Sequence, residues 1–110
     1  MSLLENFTYP NNKIWTVYTK SNCEYCTKVK KLLESNGIEY ISLNCDNYIQ
    51  NDKSKELFLE QMKNIIGQEQ IYKTFPMVFN EKKFVGGFVD TEKYLSDINL
   101  NNNLVFQEDF

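Results

Sequence analysis

Cys23 and Cys26 are separated by Glu24 and Tyr25, a spacing that serves two kinds of chemistry: a reversible disulfide or half of a metal site. Placement decides between them. Upstream, residues 14–19 (Ile-Trp-Thr-Val-Tyr-Thr) are β-branched and aromatic, the make-up of a buried strand, and Lys20-Ser21-Asn22 follows as a short loop. From Cys26 onward, Val29, Leu32 and Leu33 recur at helical spacing, with Lys28, Lys30, Lys31 and Glu34 on other faces. The pair therefore opens a helix, where sulfurs three residues apart come onto nearly the same face. The unpaired N–H groups of the first turn and the helix dipole favour negative charge on Cys23. Lys20, three residues upstream, adds a cation. Such surroundings lower a cysteine pKa from about 8.5 into the range of roughly 3.5–7.5. The thiolate so formed is a nucleophile at neutral pH and a good leaving group.

The metal alternative is poorly supplied. A structural zinc site takes four Cys or His ligands, and the chain has three cysteines and no histidine, so only an intermolecular site could complete one. The missing histidine also excludes Cys-His and Ser-His catalysis. The third thiol, Cys45, falls at the end of a strand and reads as a buried, inert core residue, with a regulatory thiol as the alternative. Ala, Arg and His are absent while Asn, Lys, Ile, Tyr and Phe abound, the mark of a genome poor in G and C.

A chain of 110 residues fits a single domain, expected to span 1–110 with its core at about 14–98. At 42% apolar and 25% charged residues, the composition is that of an ordinary globular protein, and a net charge of −3 asks for neither nucleic acid nor an anionic membrane. No stretch has transmembrane length, and Met1-Ser2-Leu3-Leu4-Glu5 lacks the basic start and apolar run of a signal peptide. A cytoplasmic monomer is expected, in a reducing compartment where a C-x-x-C pair serves redox chemistry.

Further elements surround the cysteine pair. Pro10-Asn11-Asn12 reads as a turn. Gly37 ends the first helix, and Tyr40–Asn44 reads as a second strand. A polar stretch from Asp46 to Asp52 leads into a helix from about Lys53 to Ile66, striped by Phe58, Met62, Ile65 and Ile66 and stopped by Gly67. Met77–Phe79 and Phe84-Val85 are short strands joined as a hairpin. Asp90 is placed to cap a last helix carrying Tyr94, Leu95 and Ile98. The order β-α-β-α-β-β-α implies an α/β fold in which the first two strands are parallel, through a right-handed crossover, and the hairpin makes a mixed four-stranded sheet.

Residues 20–26, Lys-Ser-Asn-Cys-Glu-Tyr-Cys, resemble the active-site segment of dithiol glutaredoxins, which is Lys, two small polar residues and Cys-Pro-Tyr-Cys. Thr74-Phe75-Pro76 resembles that family's Thr-Val-Pro, and Gly86-Gly87-Phe88-Val89-Asp90 its Gly-Gly-x-x-Asp. The resemblance runs from about Ile14 to Ile98 and implies a thioredoxin-like fold, a glutathione co-substrate and no tightly bound cofactor. It makes Cys23 the nucleophile and Cys26 the resolving thiol. It puts Lys20 and Lys73 at the glycine carboxylate of glutathione, with Tyr25 flanking the tripeptide. Thr74 and Phe75, before a cis Pro76, would offer backbone to the cysteinyl portion, as an added strand does. Gly87, Val89 and Asp90 would hold the γ-glutamyl end at a helix start.

The sequence departs from that pattern at three points. Glu24 replaces the proline between the cysteines, Val89 replaces a common serine or threonine, and six residues, Gln68 to Lys73, separate Gly67 from Thr74 where the family usually has two. The implied activity is glutathione-dependent thiol–disulfide exchange, an electron-transport reaction of cell redox homeostasis, acting on glutathionylated or disulfide-containing proteins such as ribonucleotide reductase. Two alternatives stay open: a thioredoxin-like reductase fed by a flavoenzyme, and an iron–sulfur carrier in which Cys23 ligates a bridging [2Fe-2S] cluster.

Overall fold

A computed structural model describes residues 7–108, with side chains as far as residue 99. Met1–Glu5, read above for a targeting signal, lie outside the described residues. In chain order the elements are β1 (Trp15–Thr19), α1 (Glu24–Ser35), β2 (Tyr40–Asn44), α2 (Asp52–Ile66), β3 (Met77–Asn80), β4 (Lys83–Gly86) and α3 (Phe88–Glu108), with a 3-10 turn at Asp46–Tyr48. The sheet order is β2-β1-β3-β4. β2 runs parallel to β1, while β3 is antiparallel to both β1 and β4. This is the mixed sheet expected from the element order, and α3 continues well past Ile98, where the sequence left the tail open.

The central strands are apolar on both faces because helices cover both. On β1 and β3 successive side chains alternate sides. Tyr18, Met77 and Phe79 pack with Phe58, Leu59 and Met62 of α2 on one face. Val17 and Val78 pack with Val29 and Leu33 of α1 and Leu95 of α3 on the other. Phe7 and Cys45 join the α2-side cluster, so the core begins upstream of residue 14.

Helix ends follow local chemistry. α1 stops before Gly37, which has φ +69°, and α2 ends on Gly67 at φ +82°, a left-handed conformation that glycine adopts at little cost. The polar stretch before α2 contains a capping box: Asn51 accepts from the Ser54 N–H (2.9 Å), and Ser54 Oγ lies 3.5 Å from the Asn51 N–H. Asn11 makes the expected turn, its side-chain oxygen taking the N–H groups of Lys13 (2.6 Å) and Ile14 (3.0 Å). Asp90 departs from expectation. It is the third residue of α3 and not its cap, because Gly87 occupies the capping position and passes its N–H back to the Asp90 carboxylate.

Candidate active site

β1 delivers the chain to the edge of the site, and four residues later Cys23 becomes the N-cap of α1, with extended backbone (φ −120°, ψ 104°). This conformation turns its sulfur onto the first turn of the helix, where the Cys26 N–H points at Cys23 Sγ from 3.1 Å. A charge gathered on that sulfur therefore meets a hydrogen-bond donor and the positive end of the helix dipole together. Cys23 and Cys26 form a disulfide, with their Cα atoms 5.2 Å apart. They differ in access: Cys23 is half-buried, whereas Cys26 is buried at 3% exposure. One sulfur can be reached from solvent and the other lies beneath it. Among the described residues no group of three or more His, Cys, Asp or Glu side chains gathers as metal ligands would.

Beside the disulfide runs an open groove of about 260 Å3, lined by Tyr25, Tyr72, Thr74, Phe75, Pro76, Gly87, Phe88, Val89 and Asp90. Residues far apart in the chain meet here for topological reasons. The segment 74–76 enters β3, the strand beside β1, and the Phe75–Pro76 peptide is cis. Gly86 closes β4, opposite Val78, and hands the chain to α3. Between Val78 and Phe79 the β3–β4 register slips, with Val85 as the extra residue, so Gly86-Gly87 follow a bulge. The glycines have separate reasons. At Gly86, φ +128° and the adjoining Asp90 side chain leave no place for a Cβ. At Gly87 a Cβ would approach Tyr72 Oη to 3.2 Å.

Seven residues singled out from the sequence thus share one groove: Tyr25, Thr74, Phe75, Pro76, Gly87, Val89 and Asp90. Lys20 is exposed in the loop that precedes Cys23. Lys73 is not in the groove and lines a separate cleft with Asp52, Lys55, Glu56, Leu59 and Ile71. The six residues after Gly67 carry it there, and its nearest surroundings are the flank of α2. Tyr72 and Phe88 line the groove without having been named from the sequence. Phe88 stood inside the Gly-Gly-x-x-Asp motif at a position that prescribes no residue type, and only its ring contact with Tyr25 (centroids 5.8 Å apart) reveals a role. Cys45 is 1% exposed, and burial pushes its pKa from 9.0 up to about 12, so the third thiol stays protonated at neutral pH.

A dithiol pair at the first turn of a helix, with a cis-proline loop at the same end of the neighbouring strand in a mixed four-stranded sheet, defines a redox protein of thioredoxin-like architecture. The family model described as Glutaredoxin matches residues 15–85, and the chain belongs to the glutaredoxin family. A glutaredoxin of Neisseria meningitidis serogroup A is 37% identical over 75 residues, which cover 68% of this chain and 76% of that protein. Glutaredoxin 1 from Francisella tularensis, crystallised with cacodylate, superposes with a TM-score of 0.62 at 25% identity, over 79% of this chain and 95% of that one. A buckwheat glutaredoxin–glutathione complex gives a TM-score of 0.62 at 26% identity, over 84% and 76% of the two chains.

Proposed function

We propose that this protein is a glutathione-dependent thiol–disulfide oxidoreductase that reduces protein–glutathione mixed disulfides and protein disulfides. The observation that carries the reading is the shared wall of the redox pair and the groove. Tyr25, lying between the two cysteines in sequence, is also a groove residue. A disulfide sulfur brought to Cys23 therefore places its substituent along residues 74–76 and the start of α3.

In the proposed reaction the Cys23 thiolate attacks the glutathione sulfur of a mixed disulfide, and the protein thiol leaves. A second glutathione attacks the Cys23–glutathione bond, releasing oxidised glutathione and restoring the thiolate. With a protein disulfide, Cys23 forms the mixed disulfide and Cys26 displaces the substrate, giving the Cys23–Cys26 bond that two glutathiones then reduce. The backbone at Thr74 and Phe75 pairs with the cysteinyl unit of glutathione in the manner of an added strand. The free N–H groups at the start of α3, at Val89 and Asp90, receive the γ-glutamyl carboxylate. Lys20 is the cation for the glycine carboxylate. Lys73, facing the flank of α2, is left out of this assignment. The buckwheat relative, solved as a glutathione complex, supports the choice of ligand.

The test is a glutathione-coupled assay, with NADPH consumption by glutathione reductase as the readout. The wild type should reduce both a glutathionylated peptide and a protein disulfide. Cys23→Ser should lose both activities, and Cys26→Ser should keep the first while losing the second. Full activity of Cys23→Ser, or turnover sustained by a flavoenzyme thioredoxin reductase but not by glutathione, would refute the proposal.

A further inference from the structure

The loop that delivers Cys23 to its helix is held from outside by one carboxylate. β1 and β2 are parallel and in register, Thr19 beside Asn44, and the Cys45 N–H continues the pairing onto the Thr19 carbonyl (2.8 Å). The next residue, Asp46, therefore emerges beside the loop Lys20–Asn22. Its Oδ1 accepts the Ser21 N–H (3.0 Å) and its Oδ2 accepts the Ser21 hydroxyl. Its own N–H is fixed on Asn44 Oδ1 (2.9 Å). One residue on, Asn22 takes the left-handed region at φ 57°, and Cys23 follows with its sulfur turned to the Cys26 N–H.

We propose that Asp46 is a positioning residue for the redox centre: it clamps Ser21 so that Cys23 enters α1 with its sulfur on the helix N-terminus. As a statement about how Cys23 is kept reactive, this rests on the function proposed above. Asp46 is held below the ordinary carboxylate range, first by the Ser21 hydroxyl, then by the Ser21 N–H, with Lys20 adding its charge, so both acceptor oxygens remain available at neutral pH. Charged groups at or beside the loop include Lys20, Asp46 and Glu24, the last paired with Lys28 at 3.5 Å. As an anion beside Lys20, Asp46 by itself works against a thiolate at Cys23. Its charge and its clamp thus push the thiol in opposite directions, and substitutions separate them.

The readout is the pH midpoint of Cys23 alkylation in the reduced full-length chain, followed by peptide mass spectrometry beside a thermal melt and the glutathione-coupled assay. Asp46→Ala should raise the midpoint by about half to one pH unit. It should also lower kcat/KM by about tenfold, well inside the roughly hundredfold that a 1 Å misplacement can cost. Asp46→Asn keeps an acceptor for the Ser21 N–H and removes the anion, so its midpoint should be no higher than wild type and most of the activity should return. A melt lowered in Asp46→Ala without movement of the midpoint would reduce Asp46 to a structural residue and overturn the proposal. Should Asp46→Ala fail to fold, Ser21→Ala removes the hydroxyl half of the clamp. Its midpoint should also rise, by less, and an unchanged one would overturn the proposal. A wild type inactive with glutathione whose Asp46→Ala midpoint still rises would sink the functional reading and leave the positioning role standing.

Discussion

The Asp90 carboxylate folds back onto the N–H of Gly87, 3.3 Å away, and Gly86 makes the room for it. A Cβ on Gly86 would lie 2.6 Å from the Cβ of Asp90, at a φ of +128° that side chains avoid. Gly86→Ala must therefore displace Asp90 and strain its own backbone. We expect a loss of about 2 kcal/mol in urea unfolding, together with a raised KM for glutathionylated substrate as the start of α3 shifts. Gly87→Ala should cost less than half as much, because its near neighbour is the hydroxyl end of Tyr72, which can swing away.

Tyr25 is 51% exposed although it sits between the cysteines. Its ring meets Phe88 on one side and carries Lys28 Nζ 5.1 Å from its centroid. An aromatic left open beside a groove stabilises whatever lies along it more than it stabilises the fold. Tyr25→Ala should raise KM for glutathionylated peptide by about fivefold, the equivalent of roughly 1 kcal/mol of lost contact. The unfolding midpoint should hardly move, and kcat should stay within about twofold. Steady-state kinetics with a urea titration would check both, and a fallen kcat at constant KM would contradict a binding role.

How far these residues could be read in advance depends on the range of the forces that place them. β2 matches its expected bounds because alternation and composition are local signals, and Gly67 marks the end of α2 because its φ is a property of one residue. The cysteine pair was legible since an N-cap is defined within a single turn. Tyr72 was not, because it lies outside any periodic element and its use depends on the backbone of Gly87 coming within reach of its hydroxyl. Asp46 was read only as part of a polar stretch, since its partner Ser21 lies 25 residues away and is brought near by parallel strand pairing. That Lys73 lines a separate cleft was not legible for the same reason: the six residues after Gly67 have no periodicity to say which way the loop turns.

Phe7 shows the same lesson with a cost attached. It is 8% exposed, lies parallel to Tyr18 (5.9 Å, 7°) and meets Tyr9 edge-on at 5.0 Å. Its segment is tied down by the Tyr18 hydroxyl, which donates to the Thr8 carbonyl at 2.6 Å. Phe7→Ala would open a cavity between these rings and Phe58. We expect about 3 kcal/mol of destabilisation in denaturant unfolding, at the low end for a buried phenylalanine because the site borders solvent. Redox activity of the folded fraction should be unchanged, as Phe7 is not among the residues that line the groove. A cost under about 1 kcal/mol would show that the segment packs more loosely than its contacts imply.

Alkaline pH offers a last test, because Cys45, Tyr18, Tyr40 and Tyr48 keep their protons longer in the folded chain than in the unfolded one. Burial is the main cause for each. It pushes the Cys45 thiol from 9.0 to about 12, moves Tyr40, whose hydroxyl also donates to Glu34, from 10.0 to about 12, and raises Tyr18 further. Between pH 9 and pH 12 the unfolded chain loses these protons while the folded chain retains them, so the unfolded state binds fewer protons and stability falls as pH rises. A well-buried group such as Cys45 contributes a slope of at most about 1.4 kcal/mol per pH unit, the more exposed Tyr40 less because water screens it, and the slope is absent below the unfolded values of 9.0 for the thiol and 10.0 for the tyrosines. The measurement should be made on the oxidised protein, in which Cys23 and Cys26 do not titrate. Urea midpoints should hold level from pH 7 to 8.5 and decline above it, less steeply in Cys45→Val. The same burial should keep native Cys45 at least about a hundredfold slower toward iodoacetamide at pH 8 than the unfolded chain. A thiol that alkylates readily in the folded protein, with no alkaline loss of stability, would mean that Cys45 is not sealed beneath Tyr18 and Tyr48.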